Sequence, residues 1–415
     1  MKFKSIKPRF SRDELILLAI LFSATMIVAT GIQMGNALFP SISRLMNVPI
    51  SSVTFLVSVW AFTGLLSPFF GPPSDRYGHG IFVLIGLGIF TIGNLFCAIA
   101  PNFSFLLMFQ VLVGLGYAIY SFSASAVVGD VFSYEMRARA MGIVRIAVSV
   151  TALVGVPVAA AIAGWVTARG SFGTVGLLCL VVLVFARKFI PRSPHQETIV
   201  ESDQPQTGFL LSLKDIFRNQ SAMIGLLLYV VWPLIPTGVF IYLAAWLEQS
   251  FALTNMQIGL AFSLAGVGGL IGNALTAVLT DRIGKKKSSL LGMLTLSIAV
   301  ILLPRSGILS LALICFAIFV TALEFISASF GTLMTELTPA SRGTLLSMVS
   351  LANGVGTGAA PLVLRTLWER GGYQLVTIVL GVIGLILTIV IAVLMNEPKV
   401  QVSQARSLGE TFDDM

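Results

Sequence analysis

The sequence is short of charge, of cysteine and of histidine, and each shortage excludes something. Only 11% of its 415 residues are charged, less than half of the roughly 25% usual in a soluble domain. At 56% hydrophobic residues, a soluble chain would have to bury nearly all of itself, and surface-to-volume scaling forbids that. Cys97, Cys179 and Cys315 each sit inside an apolar run. They offer neither a disulfide framework nor a CxxC pair and read as small packing residues. His79 and His195 lie in polar connections far apart, so no metal site is expected. A Walker A sequence is missing, which leaves direct ATP drive unsupported. No nucleophile–base pair can be assembled within the apolar runs, so neither enzymatic activity nor a cofactor is expected. The N-terminus carries no signal-peptide cleavage pattern.

What the chain has in quantity is long apolar runs. Bilayer-spanning helices need roughly 20 such residues, and runs of that kind fall at 15–38, 52–72, 81–100, 104–128, 139–166, 171–187, 222–246, 256–279, 287–304, 308–333, 343–367 and 373–396. The expected fold is an all-α membrane protein with twelve transmembrane helices. The longest polar connection contains HQETIVESDQPQTG, a flexible-linker composition. The expected organisation is a leader over 1–14, a six-helix bundle over 15–187, a linker over 188–221, a second six-helix bundle over 222–396 and a tail over 397–415.

The net charge of +8 suggests nucleic acid in a soluble protein, but in an apolar chain it reflects basic loops held at a cytoplasmic face. On the side of the N-terminus the connections hold 20 Lys and Arg, against five on the other: Arg44, Arg169, Arg305, Arg365 and Arg370. That asymmetry predicts cytoplasmic termini and linker. Trp165, Trp246 and Trp368 fall at outer ends of runs, as an aromatic belt would. Short loops and tails favour a bacterial inner membrane, and the partners expected are the lipid bilayer and a small solute, with no nucleic acid and a monomeric state.

The halves repeat. Asp75-Arg76-Tyr77-Gly78 and Asp281-Arg282-Ile283-Gly284 are 206 residues apart, as are Asp130 and Glu336. Arg137 pairs with Arg342 at 205, Pro157 with Pro361 at 204 and Trp165 with Trp368 at 203. Two parallel six-helix repeats flanking a cleft are a common secondary-transporter plan.

These motifs resemble those of the major facilitator superfamily, over about Leu15 to Pro398. The family's loop motif, a Gly followed by Asp-Arg-x-Gly and two basic residues, is matched by GPPSDRYGHG (Gly71–Gly80) and by AVLTDRIGKKK (Ala277–Lys287). In the first copy His79 and Gly80 replace the basic pair; in the second Ala277 replaces the leading Gly. The resemblance implies a gating role for Gly71, Asp75, Arg76 and Gly78, and for Asp281, Arg282 and Gly284, whose charges otherwise read as topogenic. Span five, SVTALVGVPVAAAIAGW (Ser149–Trp165), resembles an element of the family's drug and sugar antiporters, closer to the sugar-efflux-like branch. Gly155, Pro157 and Gly164 carry that match, and Pro361 gives span eleven the same texture; ordinary small-residue packing explains these positions equally well. Where proton-linked exporters often carry an arginine in span four, this chain has Gln110.

Two ionisable residues lie deep in apolar runs. Glu324 stands halfway along span ten, where a carboxylate costs about 2.5–3.5 kcal/mol on insertion scales, so it is a candidate proton site. The alternatives are a neutral acid bonded to a neighbouring helix, or a structural pair with an arginine. Arg145, in span five, cannot shed its charge; it either snorkels to the cytoplasmic interface or serves a site. The hypothesis is that both face one cavity and exchange partners. Further cavity candidates are Gln33, Asn36, Gln110, Tyr117, Tyr229, Trp232 and Asn353, with Tyr120, Ser121, Thr237 and Tyr242 beside them. Pro233 and Pro236 are expected to break span seven. The leading function is a secondary active transporter for a small organic solute, exporting a sugar-like or drug-like compound against protons. The alternatives are a proton symporter or uniporter for nutrient uptake and, from another class, a non-transporting receptor.

Overall fold

A computed structural model describes residues 10–191, 216–337 and 342–395; most of the leader, most of the linker and the tail lie outside them. Every element among the described residues is helical. Span one is Arg12–Met46, opened by a capping box in which the Glu14 N–H donates to Ser11 Oγ at 3.2 Å and the Ser11 N–H donates to Glu14 Oε2 at 2.7 Å. Spans three, four and six are His79–Ile99, Phe103–Val131 and Ala168–Phe189. Spans eight, nine and ten are Asn255–Ile283, Lys285–Leu302 and Leu309–Leu337.

The remaining spans are interrupted, each for a local reason. Span two is Ile50–Val53 and Phe55–Gly64, followed by a 3₁₀ turn (Ser67–Phe70) and a short helix, Gly71–Tyr77. The apolar run to residue 72 therefore breaks earlier than its hydropathy predicts, where Pro68, Pro72 and Pro73 withhold backbone donors. Span five is Tyr134–Val150, a π turn at Thr151–Gly155, and Val156–Trp165. Pro157 follows the turn directly, and a chain lacking that N–H relaxes into wider hydrogen bonding. Span seven breaks at Trp232 and Pro233, between Gln220–Val231 and Leu234–Phe251. Spans eleven and twelve together occupy Arg342–Leu394 and part at a kink where Gly371 and Gly372 are non-helical, Gly372 at φ 59°. Counting the last as two, twelve spans in two sets of six result, and the described ends of the chain share one side, called here the terminal side.

Glycines set the closest approaches. A Cβ on Gly86 would lie 2.6 Å from the Tyr120 backbone N, and one on Gly116 2.4 Å from that of Phe90, so spans three and four touch backbone to backbone. The halves meet along two seams. In one, a Cβ on Gly259 of span eight would lie 2.6 Å from the Ala160 side chain of span five. In the other, one on Gly358 of span eleven would lie 2.6 Å from the Phe62 ring of span two.

Away from the terminal side the halves are also tied by polar contacts. Arg44 forms an ion pair with Glu248. Ser41 Oγ donates to Asn255 Oδ1 and Ser51 Oγ to Glu369 Oε1, both at 2.8 Å. One expectation for this side needs correction: Trp246 is buried and stacks on Tyr373 with centroids 5.1 Å apart, and Trp368 stacks on Tyr242 at 4.5 Å. Trp165 is 78% exposed and Trp368 half-buried, whereas Trp246 is held inside the second half by its ring neighbours rather than presented to a bilayer belt.

Candidate functional site

Between the halves lies a cavity of about 670 Å³, within the range of small-molecule pockets. Spans one, five, seven, eight and ten wall it. Arg145 enters from span five, 11 residues into its first segment, and Glu324 from span ten, 13 residues before its end. At 1.5 Å per residue these lie about 16 and 20 Å from the terminal-side helix ends, so they sit at similar depth. Gln33 and Asn36 add amides from span one, and Asn273 adds one from span eight. Phe240 and Phe262 give the wall an aromatic portion. Gly142, Arg145 and Ile146 on its wall are exposed, and the polar contacts that tie the halves lie away from the terminal side.

Glycine makes the niche for Glu324. In GVGGLIGN (Gly266–Asn273), a Cβ on Gly272 would fall 2.8 Å from Glu324 Cβ and 2.4 Å from the Thr321 carbonyl oxygen. The half-buried carboxyl accepts a bond from Asn273 Nδ2 at 3.4 Å, and Asn273 also donates to the Gly269 carbonyl at 2.8 Å. Arg145 forms an ion pair neither with Glu324 nor with any other side chain among the described residues.

The other candidates lie elsewhere. Gln110 is buried within the first half and accepts a weak bond from Cys97 Sγ at 3.7 Å. Tyr117 packs edge-on against Trp60, with centroids 6.2 Å apart, and Tyr229 stacks on Phe330 at 5.2 Å. Tyr120 is buried with its hydroxyl 2.7 Å from Thr25 Oγ1. Trp232 is buried at the break in span seven, whereas Asn353 is exposed on span eleven. Asn273, Phe240 and Phe262 were not anticipated; an amide closing a glycine-rich run was the available signal for the first.

In the loop motifs, Gly78 and Gly284 have φ of 97° and 94°, a region that L-residues rarely adopt. Arg76 is exposed beside the Tyr77 ring, and Gly71 is buried. The side chains of Asp75 and Asp281 lie outside the described residues. Just beyond each glycine the first residue of the following span reaches the span after it: His79 Nδ1 lies 2.7 Å from Asp130 Oδ2 of span four, and Lys285 pairs with Glu336 of span ten. In span five, a Cβ on Gly155 would approach Thr30 Oγ1 to 2.2 Å, so this glycine lets spans one and five touch. Gly164 has more room, with Asn255 Cβ 3.8 Å from such a Cβ, and Pro361 is buried in span eleven.

The family model described as Major Facilitator Superfamily matches residues 21–254 and 234–412. The MFS-type transporter YwfA of Bacillus subtilis (strain 168) is 24% identical over 363 residues, covering 85% of this chain and 86% of that one. Multidrug resistance protein 2 of the same organism is 23% identical, covering 84% and 88%. Among solved structures, a bacterial homologue of the human lysosomal transporter Spinster, inward-facing and unoccupied, superposes with a TM-score of 0.74 at 17% identity, covering 92% of this chain and 97% of that one.

Proposed function

The chain belongs to the major facilitator superfamily, and from that premise we propose that it exports a small organic solute in exchange for protons, by alternating access. In this reading the protein works as a monomer in a bacterial inner membrane, with termini and linker cytoplasmic because basic residues concentrate there. The terminal side is then the inside, and the arrangement described is inward-open with its outer end shut. Glu324 is the proton site, Arg145 and the amides Gln33, Asn36 and Asn273 hold the solute, and the two seams let the halves rock. The loops around Asp75-Arg76 and Asp281-Arg282 make and break contacts as they do so, a two-state device. Gly155 and Pro157 keep spans one and five close through the motion.

The observation that carries the reading is a half-buried carboxyl, Glu324, in the wall of a largely apolar cavity that both halves share. A neutral acid tolerates such a place and an ion needs a partner, so proton and solute compete there. The test is proteoliposomes loaded with a pH-sensitive dye and challenged with sugars, amino acids and drug-like amines. Solute leaving as protons enter, abolished in Glu324→Gln, supports exchange. Co-directional movement would establish symport instead, and flux indifferent to pH would establish a uniporter.

A further inference from the structure

The solute's chemistry follows from what the cavity leaves unpaired, an inference that rests on the transport reading above. The first half contributes a permanent cation, Arg145, and the second a carboxyl, Glu324, to one cavity. They are not paired with each other, nor with any other charged side chain among the described residues. Asn273 supplies Glu324 with a single neutral bond of 3.4 Å. The rest of the wall is uncharged: the amides, the Ser149 hydroxyl and apolar surface around Phe240 and Phe262. We propose that the cavity selects a zwitterionic solute with an apolar body, its anionic group on Arg145 and its cationic group on Glu324.

The single-charge alternatives each fail on one wall. An amine pairs with Glu324 but shares the cavity with an unanswered guanidinium, which repels it. A carboxylic acid pairs with Arg145 but offers Glu324 nothing to replace its proton, so it has no means of exchanging one for one. A zwitterion answers both, and complementary charges at two points fix its orientation as well. When it binds, the Glu324 O–H proton passes to water at the open end and the carboxylate pairs with the solute's cation; no other bond is made or broken. A volume of about 670 Å³ admits solutes of amino-acid to small-peptide size, and the two phenylalanine rings favour an apolar side group.

The experiment uses matched triplets on the purified full chain: phenylalanine, phenethylamine and 3-phenylpropionate, then the corresponding sets built on leucine and on a γ-amino acid, which varies the charge spacing. Thermal shift and calorimetry are the readouts. For at least one triplet the zwitterion should bind at least tenfold more tightly than its amine or its acid. Arg145→Gln and Glu324→Gln should each abolish that preference, while Arg145→Lys and Glu324→Asp keep it and show that the cavity is intact. Preference for the amine or the acid, binding by no member of any triplet, or a zwitterion preference that survives either neutralising variant overturns the proposal. Zwitterion binding without proton release would leave this proposal standing and defeat the exchange reading instead.

Discussion

Gly78 and Gly284 stand 206 residues apart with φ of 97° and 94°, and the residue after each reaches a carboxylate on the next span: His79 to Asp130, Lys285 to Glu336. Asn47 and Ala252, 205 residues apart, end spans one and seven with φ of 51° and 53°. Backbone geometry thus repeats closely between the halves. The charges in the cavity do not. At the offset joining Asp130 to Glu336, Glu324 corresponds to Ala118; at the offset joining Arg137 to Arg342, Arg145 corresponds to Ser350. In the proposed exchange the repeat is the scaffold on which the halves rock, and the candidate site sits where the repeat is broken.

The sharpest way to break this comparison is to remove the asymmetry. Glu324→Gln should lower pH-gradient-driven flux by on the order of 100-fold, the scale seen when a positioned proton-transfer group is removed, and leave a flat pH profile. The measurement is initial-rate flux in proteoliposomes between pH 6 and 8. Next in size are Gly78→Ala and Gly284→Ala. Each forces a side chain into a strained backbone region costing about 1–3 kcal/mol, and the two losses in thermal stability should agree, since the loops share one geometry. A large loss in only one half would show that the repeat is not mechanically equivalent.

Gly272→Ala tests the niche. Overpacking against Thr321 and Glu324 should cost about 1–3 kcal/mol, whereas Gly129→Ala, where a Cβ meets nothing within 4 Å, should leave melting unchanged or raise it. The smallest effect belongs to the loop contacts. His79 against Asp130 and Lys285 against Glu336 are partly exposed contacts, of a kind that contributes little. His79→Ala and Lys285→Ala should each lower thermal stability by about 1 kcal/mol or less, and by similar amounts if the two loops are equivalent.

Much of this was legible in the sequence because bilayer physics is strict. Apolar length sets the number of spans, and the Gly, Pro and Asp-Arg landmarks give the repeat. Less visible were the interruptions. The early break after Gly64 and the π turn before Pro157 are matters of local hydrogen bonding, which hydropathy does not register. Arg145 and Glu324 stood out because a deep charge needs an answer. Gln110 drew equal attention yet finds Cys97 inside its own bundle, since a neutral amide is satisfied by a neighbour as readily as by a cavity. Phe240, Phe262 and Asn273 went unmarked because helix rotation, rather than residue type, turns them inward.

Proton-coupled exchange requires Glu324 to trade a proton for a solute. Calorimetry of the best-bound zwitterion, run in two buffers of different ionisation enthalpy, counts that proton directly. The prediction is about one proton released per solute bound by the wild-type protein and none by Glu324→Gln, as linkage requires of a single exchanging group. No release by the wild type, or equal release by the variant, would contradict it.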